Sequence, residues 1–539
     1  MRFSILLVFL TFGVAVYGQS KLTEEILWSL GRVNAEAISP DGRYLYYTVT
    51  TYQKEENKSN TQLYFMDLKG GNPHLVSDAQ SYAGNVCFDG GGNPLYSKDG
   101  QAFHDLLQKN LGIPNLEYSN LMIAPNGNLI AFSRKVKIDK TCMDFYPDLN
   151  KSTARIYDDL MFRHWKDWED GSYHHIFIGK LSPEGITHEI DIMPGEPFHA
   201  PTMPSGGLDD LSWSPESKWL AYVSVKKKGK DYAVSTNSDL FLYHVESNET
   251  QNLSSGMLGY DTDPRFSPDG RFIAWLSMSH DGFEADKKNL VVMELSSKKK
   301  YVLTNAWDET INQFIWSPDG RSIYCSVPYR GSVQLFEIKW DLDLSQNPPI
   351  RYRQITKKDA DYGGPVGFHG KELICPRMDM NHATEIFGVD VQTGEERQIT
   401  SVNNNAYQFI SKSRIEKHWV KTTDGKDMLT WVIFPPDFDS TKKYPTLLYC
   451  QGGPQSHLSQ YYSFRWNFQL MAAKGYIIVA PNRRGMPGWG SKWNEQISGD
   501  WGGQCMKDYL SAIDQISQKS YVDVSRRAAV GASFGGYSV

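Results

Sequence analysis

The chain has 539 residues, which is more than one hydrophobic core usually serves, so we expect at least two domains. Its 56 Lys and Arg residues are outnumbered by 62 Asp and Glu residues, which gives a formal net charge of −6, and its basic clusters are short. This balance argues against nucleic acid as a partner, since nucleic-acid-binding proteins carry extended basic surfaces.

The N-terminal residues 1–18 have the pattern of a secretory signal peptide. A cation at Arg2 precedes an apolar run from Ile5 to Val16, and small residues come before Gln19. The run is too short for a comfortable membrane span, and no later stretch is suited to cross a bilayer. We therefore predict an exported protein, periplasmic or extracellular, without a membrane span.

The six cysteines are scattered without the paired spacing of a metal site or a redox motif. The adjacent His174 and His175 cannot share one face of a helix, as two metal ligands four residues apart would. We expect buried free thiols, no metal and no cofactor.

A turn-and-strand motif occurs four times in the first three quarters of the chain. Proline, aspartate and glycine at fixed positions favour a tight turn, and the alternating residues after it predict a β-strand. The four copies are ISPDGRYLYYTV (38–49), WSPESKWLAYVS (213–224), FSPDGRFIAWLS (266–277) and WSPDGRSIYCSV (316–327). Weaker copies lie near Cys87, Ile123 and Phe368.

The spacing of these copies indicates a β-propeller. The prolines of three successive copies, Pro215, Pro268 and Pro318, are 53 and 50 residues apart. A β-sandwich with recurrent turns would instead show turn signals roughly every 8 to 12 residues. A repeat of about fifty residues corresponds to one four-stranded blade. We predict a mostly β domain of about seven blades over residues 19–410.

The interval 126–215 is too long for one blade and contains the segment YDDLMFRHWKDWEDGSYHH. Its simplest interpretation is an insertion that caps the rim of the propeller. Alternatively, its aromatic faces and carboxylates meet the positive amine of a substrate. The residues for this second role are Trp165, Trp168, Glu169 and Asp170.

The last quarter of the chain, after Ser411, alternates apolar runs with helical segments. The runs LTWVIFPP, PTLLYCQGGP and YIIVAPNRRG read as strands, and FRWNFQLMAAKG and QCMKDYLSAIDQISQ read as helices. Such alternation predicts a parallel sheet with helices on its faces. We assign residues 411–539 to an α/β domain.

The segment 531–535, GASFG, matches the G-x-S-x-G pattern of a nucleophile elbow and follows a predicted strand. In such an elbow Ser533 is the nucleophile in a strained turn, and the flanking glycines avoid collision with neighbouring backbone. The oxyanion would bind the backbone N–H of Phe534 and a second donor in the loop CQGGP, at Gly452 or Gly453. The alternative is a glycine-rich turn without a chemical role.

The order of a leader, a propeller and the motifs YCQGGPQ, APNRRGMPGWG, NEQISGDWGGQ and GASFGGYS resembles the prolyl oligopeptidase family of serine peptidases. The resemblance runs from about Leu22 to Val539. It implies an α/β-hydrolase domain, peptides as substrates and, at full length, a possible homodimer. Within the family, the chain is most similar to exported bacterial dipeptidyl peptidases, in the branch that also holds acylaminoacyl peptidases.

The resemblance also implies roles for individual residues. Dipeptidyl members of the family anchor the free N-terminal amine of the substrate with acidic groups. Glu169 and Asp170 are the first candidates for this role here, and Glu196 is the reserve. Gln451 stands where some members have an oxyanion tyrosine, which favours backbone donation and an apolar, rather than strictly proline, second substrate residue.

The α/β-hydrolase order along a chain is Ser, Asp, His, yet six residues follow Ser533 and all thirteen histidines precede it. We therefore expect a fragment of a longer protein, with an incomplete hydrolase domain and no activity by itself. The parent would be a serine exopeptidase that releases dipeptides, and the alternative within the family is an acylaminoacyl peptidase or oligopeptidase. The third hypothesis is a non-catalytic propeller that binds other envelope proteins.

Overall fold

The computed structural model of the chain describes residues 20–77, 119–182, 185–339 and 351–539. The predicted signal peptide and the weak repeat copy near Cys87 lie outside these ranges. Within them, no helix combines the length and the apolar character needed to cross a bilayer. The five cysteines that these ranges include are all buried and unpaired, as predicted.

The repeated motif folds as predicted, with a tight turn that leads into a strand. In the copy at 266–277, the hydroxyl of Ser267 donates to Asp269 (2.6 Å), and the N–H of Arg271 donates to the same carboxylate (3.1 Å). Gly270 between them has φ +69°, a value that glycine adopts without strain. The turn is therefore held by its own side chains, which explains why the same residues recur.

Four sheets of four antiparallel strands account for most of the N-terminal part. The first contains β1 (Arg32–Ile38), β2 (Tyr44–Gln53), β3 (Lys58–Asp67) and β4 (His74–Ser77). The second contains β5 (Ser119–Ile123), β6 (Leu129–Lys137), β9 (Ser172–Ser182) and β10 (Gly185–Asp191). Between β6 and β9 the chain forms a separate hairpin of β7 (Arg163–His164) and β8 (Asp167–Trp168). The third contains β11 (Leu211–Trp213), β12 (Trp219–Ser224), β13 (Asp239–His244) and β14 (Thr250–Asn252), and the fourth contains β15 (Asp261–Phe266), β16 (Phe272–Ser277), β17 (Asn289–Glu294) and β18 (Lys300–Val302).

A nine-stranded sheet follows, and it consists of two antiparallel groups joined by one parallel bridge between Val333 and Asp361. The first group contains β19 (Gln313–Trp316), β20 (Ser322–Tyr329), β21 (Ser332–Lys339) and β22 (Arg351–Gln354), and the second contains β23 (Asp361–Tyr362), β24 (Gly367–His369), β25 (Glu372–Asp379), β26 (His382–Asp390) and β27 (Glu396–Gln398). Each group corresponds to one further blade.

Apolar cores lie between consecutive sheets, which is how propeller blades pack. Val223 of the third sheet and Trp275 of the fourth are fully buried in one such core. Another core joins Val33 on the first sheet to Ile386 on the last. The first sheet therefore packs against the last, as the predicted propeller requires. The count of about seven blades stays a prediction, since residues 78–118 lie outside the described ranges.

The long interval in the second blade is an insertion, as its length predicts. β6 and β9 pair along their whole length, from Leu129 with Lys180 to Lys137 with Ser172. Residues 138–171 therefore leave and rejoin the blade at one corner, and they carry helix α2 (Cys142–Phe145), a short 3-10 turn and the β7–β8 hairpin.

The C-terminal sheet has the order β28-β29-β31-β30-β32. Its strands are β28 (Ile415–Lys421), β29 (Asp427–Ile433), β30 (Tyr444–Cys450), β31 (Ile477–Pro481) and β32 (Val522–Gly531). β30 is parallel to both of its neighbours, whereas β28 and β29 are antiparallel. The prediction of a wholly parallel sheet is therefore wrong for the strand at LTWVIFPP, because a tight turn after β28 sends the chain straight back along it.

Helices cover both faces of this sheet, as predicted. Phe468 and Ala472 of one helix pack against one face, and Tyr509 and Ile513 of another pack against the opposite face. The helices outside the propeller insertion are α1 (Glu24–Ser29), α3 (Gly229–Val234), α4 (Asn404–Tyr407), α5 (Phe468–Ala473), α6 (Ser491–Glu495), α7 (Gln504–Ser517) and α8 (Phe534–Ser538). α5 is shorter than its apolar pattern suggests, because the Asn467 side chain caps it by accepting from the Leu470 N–H (2.8 Å).

A buried carboxylate joins the propeller to the α/β domain. Asp361 on β23 accepts hydrogen bonds from the N–H of Val333 (2.9 Å) on the propeller and of Gln460 (3.2 Å) in the α/β domain, and from the hydroxyl of Ser459. Burial nevertheless raises the pKa of Asp361 to about 6.

We expect Asp361→Asn to change the pH dependence of stability. Because the folded pKa lies above the unfolded value of about 3.9, the wild type loses stability as the pH rises from about 4 to about 6, by up to roughly 3 kcal/mol. The amide keeps the acceptor for both N–H groups and can donate to Ser459. Thermal unfolding of both proteins between pH 4 and pH 8 should show the variant gaining relative to wild type over that interval. A stability difference that is independent of pH would contradict this explanation.

Candidate active site

Ser533 lies in a sharp turn between β32 and α8. Its backbone has φ +56° and ψ −127°, a left-handed conformation that a residue with a side chain rarely adopts. Ser533 is exposed to solvent, whereas Phe534, which follows it, is buried. The serine hydroxyl therefore stands at the surface on a backbone that the surrounding structure holds in strain.

The two glycines of the G-x-S-x-G motif lie too close to backbone for any side chain. A Cβ at Gly535 would lie 2.1 Å from the carbonyl oxygen of Cys450, and a Cβ at Gly531 would lie 2.5 Å from that of Gly535. These distances confirm the predicted reason for the motif. β32 can approach β30 this closely only because positions 531 and 535 have no side chain.

Two residues beside Ser533, Phe534 and Gly452, have backbone N–H groups that are free to donate. The N–H of Phe534 opens α8, and it forms no hydrogen bond within the described part of the chain, as is usual at the first turn of a helix. The N–H of Gly452 is also without a hydrogen bond among the described residues. Gly452 faces the elbow, since a Cβ there would lie 3.1 Å from the Ala532 oxygen and 3.8 Å from the Ser533 Cβ.

The other two residues considered for the oxyanion loop face elsewhere. A Cβ at Gly453 would lie 2.7 Å from the N–H nitrogen of Gln455, within its own loop. The Gln451 side chain donates to the Ser456 hydroxyl (3.2 Å), also within the loop. Of the two loop glycines, Gly452 is therefore the one whose nearest neighbours belong to the elbow.

The structure provides no proton acceptor for Ser533 within the described ranges. The Ser533 hydroxyl forms no hydrogen bond there. Histidines that are hydrogen-bonded to a carboxylate lie on propeller segments or on β28, and none contacts Ser533. These pairs are His175 with Asp191, His280 with Asp286, His382 with Asp379 and His418 with Glu416.

The three acidic candidates for an amine anchor occupy different environments. Glu196 forms an ion pair with Lys226 (2.7 Å), so its charge is already neutralised. Asp170 accepts from the N–H of Ser172 (2.9 Å) and lies 3.5 Å from the Lys135 ammonium. Glu169 forms no ion pair with Lys226 or with Lys135.

Glu169 lines a cavity of about 770 Å³ between the insertion and the second and third blades. The ring of His199 lies 3.7 Å from its carboxylate, through Nε2. Nδ1 of that ring accepts from the N–H of His174 (3.1 Å), so the neutral ring carries its proton on Nε2, toward Glu169. Burial, with a smaller contribution from the Glu169 charge, raises the pKa of Tyr232 to about 12. The carboxylate thus faces a cavity with aromatic walls.

Comparison with known proteins identifies the family. Residues 462–539 match the model of the prolyl oligopeptidase family, and residues 210–433 match that of the TolB β-propeller domain. The chain is 40% identical over 527 residues to a protein named dipeptidyl-peptidase 5 from Porphyromonas gingivalis, which covers 96% of this chain and 76% of the relative. A dipeptidyl-peptidase 5 from Porphyromonas endodontalis is 37% identical, with 96% and 75% covered. The chain belongs to the prolyl oligopeptidase family.

Solved structures of two acylaminoacyl peptidases have the same architecture as this chain. The acylaminoacyl peptidase of Pyrococcus horikoshii superposes with a TM-score of 0.70 at 16% identity, over 97% of this chain and 76% of that one. An acylaminoacyl peptidase in complex with a chloromethyl ketone gives a TM-score of 0.71 at 15% identity, over 96% of this chain and 75% of that one. At these identities the likeness concerns the fold, a propeller followed by an α/β-hydrolase domain.

The sequence analysis did not single out three side chains that lie near Glu169 or near the loop of Gly452. His199 and Tyr232 lie 30 and 63 positions after Glu169, on segments with no motif of their own. Arg483 belongs to the quoted segment APNRRGMPGWG, where nothing distinguishes it from Arg484. Only the folded contacts separate these residues from their neighbours.

We expect Gly535→Ala to disrupt the elbow. The new Cβ would lie 2.1 Å from backbone that cannot move without separating β30 from β32, so the free energy of unfolding should fall by about 2 kcal/mol or more. Gly536→Ala is the matched control, since its Cβ would have the Gly531 oxygen at 3.7 Å, an ordinary contact, and its effect should stay within about 0.5 kcal/mol. Urea unfolding of both variants measures the difference, and equal effects would contradict the packing argument.

Proposed function

We propose that the protein is a serine exopeptidase that releases dipeptides from the free N-termini of peptides, with Ser533 as its nucleophile. The observation that carries this proposal is the strained turn at Ser533, flanked by the unbonded N–H groups of Phe534 and Gly452, in a chain 40% identical to a dipeptidyl-peptidase 5. A glycine-rich turn without a chemical role would not require a serine in a left-handed conformation.

The proposed reaction is acyl transfer in two steps. The Ser533 oxygen attacks the scissile carbonyl carbon while a base takes the hydroxyl proton, and the carbonyl oxygen becomes an oxyanion. The N–H groups of Phe534 and Gly452 donate to that oxyanion, and the positive end of the α8 backbone lies beside it. The amine leaves with a proton, and water then hydrolyses the dipeptidyl ester of Ser533 by the same route.

The base and its carboxylate partner are not among the groups that contact Ser533 in the described ranges. We therefore propose that the described residues do not suffice for hydrolysis; the tests of activity use the natural gene product. Without a base the serine hydroxyl is a weak nucleophile, so a correct elbow alone does not catalyse hydrolysis.

Glu169 is the proposed anchor for the substrate amine. Its carboxylate faces the cavity of about 770 Å³ without a lysine partner, whereas Glu196 is paired with Lys226. An ammonium group that enters the cavity would find a carboxylate that forms no ion pair with a described lysine, and aromatic walls, both of which favour a cation. The position of Glu169 supports a substrate-binding role for the insertion.

The remaining parts of the proposal concern access and location. A propeller of about seven blades beside the hydrolase domain would admit peptides and exclude folded proteins, and an apolar residue would be preferred at the second substrate position. The pattern at residues 1–18 supports export to the periplasm or beyond.

Ser533→Ala in the natural gene product should abolish release of a fluorophore from a free-amine dipeptidyl substrate and abolish labelling by a fluorophosphonate. The same dipeptide with an acetylated amine should be a poor substrate of the wild type. Preference for the acetylated form would favour acylaminoacyl peptidase activity, and unlabelled wild-type protein would indicate a non-catalytic propeller.

Glu169→Gln should lower kcat/KM for the free-amine substrate by roughly 10- to 100-fold, the value of one charged hydrogen bond, mainly through KM. The slow reaction of the acetylated substrate should be unchanged, because it has no charged amine. Asp170→Asn and Glu196→Gln rank the other candidates, and we expect a smaller effect of each. A larger effect at either position would move the anchor away from Glu169.

A further inference from the structure

Arg483 is a buried cation whose partners are almost all backbone oxygens. It follows β31 and is 0% exposed. Nη2 donates to the Gln451 carbonyl (3.2 Å), and Nη1 donates to the carbonyls of Pro454 (3.0 Å) and Arg484 (2.8 Å). Nε donates to the Tyr509 hydroxyl (3.0 Å). Two of these bonds therefore end on the loop that contains Gly452.

The neighbouring Arg484 shows what an ordinary buried arginine does here. It forms ion pairs with Asp424 (2.6 Å) and Asp508 (3.0 Å). Arg483 forms no ion pair with any described residue, so its charge is not balanced by a carboxylate. A buried charge without a counter-ion is costly, and the apolar stem alone could be supplied by methionine. We therefore explain the presence of a guanidinium at this position by its hydrogen bonds to the carbonyls of the loop.

The contact at Gln451 controls the direction of the Gly452 N–H. The carbonyl of Gln451 and the N–H of Gly452 belong to one peptide unit, which is trans, so the two groups point in opposite directions. Arg483 and the Tyr509 hydroxyl (3.4 Å) both donate to that carbonyl. They hold its oxygen toward α7, and the N–H of Gly452 consequently points away from Arg483.

Arg483 also contacts the residue that carries the second donor. Its guanidinium carbon lies 4.8 Å from the centroid of the Phe534 ring, a distance typical of a cation–π contact. The same ring also contacts Trp501, edge-on at 5.5 Å, and Tyr537 at 5.6 Å. One side chain thus contacts the Gln451 carbonyl, which shares a peptide unit with the Gly452 N–H, and the ring of Phe534.

We propose that Arg483 is a positioning residue for the oxyanion site, which orients the N–H groups of Gly452 and Phe534 without contacting substrate. The inference rests on the proposed function of Ser533. If Arg483 orients these donors, it stabilises the oxyanion of the transition state but contributes little to the binding of the peptide. A loss should appear in kcat, while KM should change little.

The test uses the natural gene product with Arg483→Met and Arg483→Lys, each titrated with a fluorophosphonate so that rates refer to active sites. For Arg483→Met we expect kcat to fall by about 100-fold, as for the loss of one oxyanion donor, with KM within threefold of wild type. The lysine variant should recover part of this loss, because it keeps the charge but not the fork of donors.

A second measurement separates positioning from general damage to the fold. A dipeptidyl aldehyde, which forms an oxyanion on the serine, should bind Arg483→Met about 100-fold more weakly, whereas the product dipeptide should bind within threefold of wild type. Arg484→Lys is the matched control in the same loop. It should lower the melting temperature without changing the ratio of the two affinities.

Each outcome decides the inference. It is overturned if kcat per titrated site stays within threefold of wild type in Arg483→Met, or if both ligands lose affinity equally. Should the methionine variant fail to fold, the affinity ratio of Arg483→Lys decides in the same way. If Ser533→Ala retains the activity of the wild type, the proposed function itself is wrong, and this result is distinct from a failure at Arg483.

Discussion

The close approach of β32 to β30 is the constraint on which the candidate active site depends. The last pairs of these strands, Tyr449 with Val530 and Cys450 with Gly531, bring their carboxyl ends to the same edge of the sheet. The chain can turn there only because Gly531 and Gly535 have no side chain to collide with this backbone. Two residues beyond β30, the loop presents Gly452 beside the turn. Backbone packing therefore assembles the proposed nucleophile and both proposed donors.

Two adjacent buried arginines, Arg483 and Arg484, stabilise different parts of the domain around this contact. Arg484 links the turn after β28 to α7 through carboxylates, which stabilises the domain without reaching the elbow. Arg483 turns the other way and donates to the loop after β30. The same residue type, at adjacent positions, thus serves stability in one case and loop geometry in the other. The difference arises from which partners lie within reach of each guanidinium.

The propeller contributes a cavity whose lining carries charged side chains. Glu169, Asp170 and Glu196 are equivalent as sequence letters, but an ammonium ion would find only one of them without a lysine partner. Lys226 neutralises Glu196, and Lys135 lies near Asp170. The insertion between β6 and β9 lines this cavity, and its two sequence interpretations, a cap on the propeller rim and an amine-binding segment, both stay predictions.

The sequence by itself determined the repeated turn, the α/β domain and the glycine motif around Ser533, because each depends on interactions within a few residues. The Ser-Pro-Asp-Gly turn is held by its own side chains, and period-2 alternation needs no distant partner to be recognised. The apolar pattern alone misled where a turn or a cap decided the direction or the start of an element. β29 is antiparallel although its letters suit a parallel strand, and Asn467 begins α5 later than the apolar pattern suggests.

Only the tertiary structure decided which acid has no lysine partner, which glycine of the loop faces the elbow and which groups Arg483 contacts. Each answer depends on residues that lie about thirty or more positions apart, such as Lys226 with Glu196 and Arg483 with Gln451. The energies of such contacts follow from distance and burial in the folded chain, which no short stretch of sequence contains.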